Sequence, residues 1–260
     1  MTAHHLRETF GQIFRVLGAV LLRDMRTRFG RTHLGYLIAI AWPFTHLVVL
    51  VGARTVLNKL APLGTEPAVF YATGVLPYIL CLYPARMMAM AVVQNRPLLQ
   101  FRIVTPAILI FGRAILESLN SIVVFLLLLL GLRLFDVEFA PDDWPGLAQG
   151  ILVAVYLGVG IGFFGTLCYS LIGFPAILAI ILILVGLYLT SGALLPITFF
   201  PAWALDVLLY NPLFHCVEWI RSAYYGLDSF YLDKFFVVGT ASVFISLGLL
   251  GERLLRGRLL

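Results

Sequence analysis

Residues 23–43 read RDMRTRFGRTHLGYLIAIAWP. Arg23, Arg26, Arg28 and Arg31 fall within the first nine positions, and no charge follows them up to Pro43. A basic cluster set against an unbroken apolar run marks a segment that enters a bilayer from the side where Lys and Arg collect. The rest of the chain has the same character. It holds 260 residues, 61% hydrophobic and 12% charged, with a net charge of +5. Its mean hydropathy is +0.99. Soluble domains carry roughly 25% charged residues. So few charges cannot clothe a surface in water. The chain reads as an all-α, polytopic membrane protein, and no nucleic acid is expected among its partners.

Working outward from the quoted stretch, the apolar positions Leu6, Phe10, Ile13, Phe14, Leu17, Leu21 and Met25 form a helical stripe. Arg7, Gln12, Arg15, Arg23 and Arg26 fall largely on the other side. That pattern predicts a basic amphipathic helix lying in the membrane interface, with residues 1–33 as interface helix and anchor. A soluble helix docked on a partner domain fits the same pattern. No secretory signal is expected at the start. Six apolar runs follow, at about 34–58, 69–93, 107–134, 147–170, 175–195 and 233–252, and each is long enough to span. They make a transmembrane domain over 34–252, followed by a basic tail at 253–260. Between the fifth and sixth runs, Pro196, Pro201, Pro212 and Gly226 cut residues 196–230 into pieces too short to cross. Two short re-entrant or interfacial helices are expected there.

Arginine is concentrated on one side of this scheme. Arg7, Arg15, Arg23, Arg96, Arg113 and Arg256 share the side of the N-terminus, whereas most acids fall on the other. The Lys/Arg bias therefore places both termini in the cytoplasm.

Catalytic signatures are missing. Lys59 and Lys234 are the only lysines and neither follows a glycine, so a Walker A loop cannot form. The five histidines are scattered. Cys81, Cys168 and Cys216 have no metal-ligand spacing. No cofactor or metal is expected in this chain.

The chemistry that does stand out is charge inside spans, which is costly and usually functional. Arg86 lies roughly 10 Å from the inner end of the second run and Glu117 roughly 15 Å into the third, at ~1.5 Å per residue. They could pair across a helix hairpin, and Arg113 is also an i, i+4 neighbour of Glu117. A structural salt bridge and a pathway lining both fit. Arg54 sits at the outer end of the first run. Tyr71, Tyr78 and Tyr83, with Pro77 and Pro84, fit either interfacial packing or a stacking surface for sugar rings. The inner loop QNRPLLQFRIVTP, residues 94–106, sets Arg96, Gln100 and Arg102 about an apolar centre, as a docking element would.

Two stretches carry a resemblance. RTRFGRTHLGYLIAIAWP resembles the N-terminal signature of permease subunits of ABC-2 type exporters, in the capsule and O-antigen polysaccharide branch. NPLFHCVEWIRSAYYG, residues 211–226, resembles the C-terminal signature before the last span. The likeness covers nearly the whole chain. Ile38 stands where the family often carries Trp, and Trp42 lies one turn on.

The resemblance implies a permease that exports lipid-linked, acidic capsular polysaccharide across the bacterial inner membrane. It implies a homodimer with two separate ATPases that bind ATP and Mg, and a polysaccharide co-polymerase as a further partner. Coupling to the ATPase would fall on Arg23, Arg26, Arg28, Arg31, Arg96, Gln100 and Arg102. The re-entrant helix would present His215, Glu218, Arg221 and Tyr225. O-antigen, teichoic acid or another lipid or drug cargo remains the alternative, as does a membrane enzyme acting on lipid or glycan. A secondary transporter would need more buried carboxylates than Glu117.

Overall fold

The computed structural model describes residues 11–12, 15–24, 33–57 and 60–259. All regular structure among them is helical. Helix α1 covers 15–24. It is followed by α2 (His33–Leu57), α3 (Pro67–Ala89), the single turn α4 (Ala91–Gln94), α5 (Pro106–Leu134) and α6 (Trp144–Ile172). Then come α7 (Phe174–Leu189), α8 (Ala202–Leu208), α9 (Pro212–Tyr225) and α10 (Lys234–Leu259). Much of the expected N-terminal stripe (Leu6, Phe10, Ile13, Phe14, Met25) lies outside the described residues, as do Arg7, Arg26, Arg28 and Arg31.

Proline sets the helix starts. Helices α3, α5, α6, α7 and α9 each carry one in the first turn, where the missing amide has no intrahelical partner anyway. Side-chain oxygens of Thr105, Asp143 and Asn211 accept from the orphan amides of Ile108, Gly146 and Leu213, capping α5, α6 and α9.

Among the described residues, five helices are long and apolar enough to cross a bilayer: Leu37–Leu57, Pro67–Ala89, Pro106–Leu134, Trp144–Ile172 and Lys234–Leu254. The run expected as a fifth span over 175–195 is shorter in the structure. Helix α7 has 16 residues, about 24 Å at ~1.5 Å per residue, against a hydrocarbon core of about 30 Å. Its end is set locally. The Thr190 and Ser191 hydroxyls donate to the Gly186 and Tyr188 carbonyls. Gly192 then adopts φ +73°, which a side chain would strain. Between α7 and α10 stand two short helices, the seven-residue α8 and the 14-residue α9.

Helix α3 is the buried axis of the molecule, and α6 is its main neighbour. Gly146, Gly150, Ala154, Gly158, Gly162 and Thr166 recur every fourth position along α6. That spacing puts them on one helix face and lets helices approach closely in lipid. A Cβ built on Gly158 would lie 2.6 Å from the Cys81 carbonyl oxygen and 2.8 Å from the Cys81 Cα. Here α3 and α6 touch backbone to backbone. Pro84 deprives the nearby Leu80 carbonyl of its amide donor, and that carbonyl also faces Gly158. Thr166 closes the row by donating to the Met88 carbonyl at 3.0 Å. Farther along the same row, Gly150 faces Ile220 of α9. The opposite side of α6 meets α10, with Gly160 against the Ala241 backbone and Gly248 of α10 against the Phe163 backbone.

Helix α1 packs on α5. Leu17 and Val20 lie against Gly112, and Asp24, one turn farther, is buried.

Candidate functional site

Helices α2, α3 and α5 enclose a cavity of about 220 Å³. Its apolar walls include Ile38, Trp42, Pro43 and Ile79. Its polar lining comes from Tyr83, Arg86, Glu117, Asn120 and Ser121. The depths read from sequence thus do bring Arg86 and Glu117 to one place. The ion pairs seen among the described residues are different ones. The ion pair of Glu117 goes to Arg113, one turn away on α5, and Arg113 also reaches Asp24 of α1, Nη1 to Oδ2 at 3.5 Å. The reason is geometric: i, i+4 residues on one helix face need no second helix to meet. Arg86 lies instead by the Tyr83 ring, 5.6 Å from its centroid. Two buried polar atoms of cavity-lining residues, Arg86 Nε and Asn120 Oδ1, have no hydrogen-bond partner among the described residues.

The three tyrosines do not share one open surface. Tyr71 packs edge-on to Phe70. Tyr78 stacks on Tyr188 of α7 with centroids 4.4 Å apart. Only Tyr83 reaches the cavity, and its hydroxyl lies 3.2 Å from His46 Nδ1 on α2. His46 and Tyr188 were not legible as members of this cluster, because a lone histidine or tyrosine in an apolar run carries no spacing signal. Arg54, half-buried in the last turn of α2, acts electrostatically on Tyr188.

The 211–226 signature is a lock between helices. Asn211 caps α9 through its oxygen, while its amide donates to the Leu187 carbonyl at 2.7 Å and to Thr190 Oγ1 at 3.0 Å. Buried His215 accepts from the Asp233 amide at Nδ1, so Nε2 carries the proton and donates to the Leu209 carbonyl at 2.9 Å. Arg221 donates to the carbonyls of Gly192 (2.6 Å), Ala193 (2.8 Å) and Phe70 (3.4 Å), and its guanidinium lies 4.0 Å from the Phe70 ring centroid. Burial pushes the Arg221 guanidinium down to about 10, and the Glu218 carboxylate opposes that shift. It stays a cation at neutral pH. Glu218 accepts from the Ser229 hydroxyl at 2.9 Å. Half-buried Tyr225 lies against Gly64. Gly226 ends the helix at φ +62°.

The loop at 94–106 has a different character. Arg96, Gln100 and Arg102 are exposed, and so are Phe101 and Ile103. Its expected short helix is a 3₁₀ turn, Arg96–Gln100. Arg23 Nη1 donates to Asn95 Oδ1 at 3.1 Å, fixing α1 to the start of this loop. The adjacent acids Asp142 and Asp143 serve structure. Asp143 caps α6, and both backbone amides donate to the end of α9, at Tyr224 and Ala223.

No family model matches the chain. Two curated relatives from Escherichia coli, both named polysialic acid transport protein KpsM, are each 32% identical to it over 245 residues. The match covers 90% of this chain and 92% of each relative. The chain belongs to the KpsM family of exporter permeases. A KpsM-type chain is a transport permease rather than an enzyme. The KpsM likeness spans α2, the cavity, the loop at 94–106 and the α9 lock together. Among the residues that sequence reasoning missed, Asp24 had a signal: it is the single acid in the arginine-rich stretch 15–31.

Proposed function

We propose that the chain is the membrane permease of an ATP-driven exporter that moves a lipid-linked, acidic capsular polysaccharide across the bacterial inner membrane. The observation that carries this reading is the similarity to polysialic acid transport proteins over nine-tenths of the chain. The cavity supports it. Arg86 and Asn120 bring polar side chains beside Trp42 and Tyr83, a set that suits sugar hydroxyls and the apolar face of a pyranose. In this reading α2, α3, α5, α6, α7 and α10 are six spans, α8 and α9 are re-entrant, and α1 is the interface helix. Both termini are cytoplasmic. Charged walls at membrane depth do not face lipid, so a second copy covers the cavity beside the exposed Ile38 and Trp42. Two ATPases, which bind ATP and Mg, dock on the loop around Arg96 and Arg102. A co-polymerase hands over the polymer.

The test is purification of the tagged chain from native membranes, together with surface labelling of polysaccharide in cells lacking it. Co-purification of an ABC ATPase and loss of surface polymer are expected. A chain that isolates alone from cells whose capsule is intact would refute the reading. Arg96→Glu and Arg102→Glu are each expected to lower ATPase capture about tenfold, roughly 1.4 kcal/mol, without altering detergent behaviour. Unchanged capture would remove this loop from the interface. The charge swap Arg86→Glu with Glu117→Arg is expected to give no more surface polymer than either single change. An arginine at 117 would face Arg113 at i, i+4, a destabilising like-charge pair. Recovery in the swap would show that Arg86, not Arg113, is the working partner of Glu117.

A further inference from the structure

Asp24, Arg113 and Glu117 are 4%, 1% and 5% exposed, three charges buried in one contact. Arg113 sits between two carboxylates on different elements, Asp24 on α1 and Glu117 on the cavity wall. Among the described residues its guanidinium is held by these two ion pairs.

We infer that Arg113 is a positioning residue that ties the interface helix to the transport cavity, so that displacement of α1 moves Glu117. This rests on the exporter reading above. Consecutive residues of α1 grip two cavity walls at their inner ends. Arg23 holds Asn95, which is buried and anchored through its amide to the Ala91 carbonyl beyond α3. Asp24 holds Arg113 on α5. Leu17 and Val20 seat the same helix against Gly112, the residue before Arg113. Nine residues past Asp24 the chain enters α2, which supplies the third wall with Ile38 and Trp42. A helix joined to all three walls cannot shift without moving the charges that line the cavity. Arg86, which also acts electrostatically on Glu117 from α3, makes the site responsive to such a shift. Removing one member of a buried charge cluster leaves the others uncompensated, which loosens this joint while the spans stay packed elsewhere.

The experiment uses the complete complex of permease and ATPase in vesicles of Escherichia coli polar lipid. ATP hydrolysis and polymer movement are measured together for Asp24→Asn, Arg113→Gln, the double variant and Asp24→Glu. The inference expects polymer moved per ATP to fall at least tenfold in Asp24→Asn and Arg113→Gln, with the Asp24→Asn complex hydrolysing ATP within twofold of wild type. It expects the double variant to be no worse than Arg113→Gln, and Asp24→Glu to recover most of the coupling. Defects that multiply in the double variant would overturn it. So would ATP hydrolysis and transport falling in parallel, which is the mark of a merely structural bridge. Should Arg113→Gln fail to yield a complex, Asp24→Asn against Asp24→Glu decides alone. A wild-type chain that binds no ATPase sinks the exporter reading, whereas coupled wild type with coupled Asp24→Asn sinks only this inference.

Discussion

Gly158→Leu is expected to leave no folded permease. The site has no room even for a Cβ, which would sit 2.6 Å from one backbone atom of α3 and 2.8 Å from another. A flexible side chain could swing away, but a backbone cannot. The two most central helices would have to separate along their length, breaking the contacts on which the core depends. Gly158→Ala is the graded version. Overpacking of this kind costs about 1–3 kcal/mol, or roughly 2–6 °C in melting midpoint at this chain size. Gly186→Leu is the control, because nothing lies within 4 Å of a Cβ there. Cys81 and Cys216 are fully buried and Cys168 is half-buried, so on a Cys168→Ser background a thiol-reactive dye in detergent reads the melting. A Gly158→Leu protein that eluted as a single species and melted like wild type would show that α3 and α6 are not in this contact.

Arg221→Met is expected to be the second most damaging change. The side chain serves three carbonyls and a ring at once, joining α9 to α3 and to the end of α7. Methionine fills much of the volume and supplies no donor. Hydrogen bonds to a charged group contribute about 1.5–3 kcal/mol each and are not additive. Breaking a buried charged cluster costs about 3–5 kcal/mol in all, so a loss on that order is expected, with Glu218 left as a further uncompensated charge. Arg221→Lys should fall between, because an ammonium lacks the planar fork that reaches Gly192, Ala193 and Phe70 together. The same thermal assay decides. An Arg221→Met protein with unchanged melting but abolished export would move this residue from the scaffold to the pathway.

The two predictions differ in how far the sequence alone announced them. The residues of the α9 lock were visible as a motif, NPLFHCVEWIRSAYYG, but their work was not. Nothing in the order of letters says that Arg221 caps carbonyls 28, 29 and 151 residues away. The small-residue row on α6 was present at every fourth position, and only the tertiary contact shows which helix lies against it. Arg86 and Glu117 were legible as deep charges because depth is counted along a helix. Their pairing was not, since Arg113, which Asp24 also holds, takes the Glu117 carboxylate from a position that depth counting treats as ordinary. The end of α7 was misjudged because hydropathy continues through Leu194 and Leu195, whereas two hydroxyls and Gly192 stop the helix earlier.

By itself the sequence determined that this is an all-helical membrane protein, with a basic flank before its first apolar run and no nucleotide-hydrolysing loop of its own. Those properties are sums and periods along one dimension: few charges to meet water, apolar runs as long as a bilayer is thick, arginines clustered before the first of them. Only the tertiary structure decided which charges meet, which glycines are contacts and which helix is the axis. A buried charge takes the nearest partner in space and a bare backbone takes whichever neighbour can reach it, and both depend on the faces that the folded helices turn toward one another.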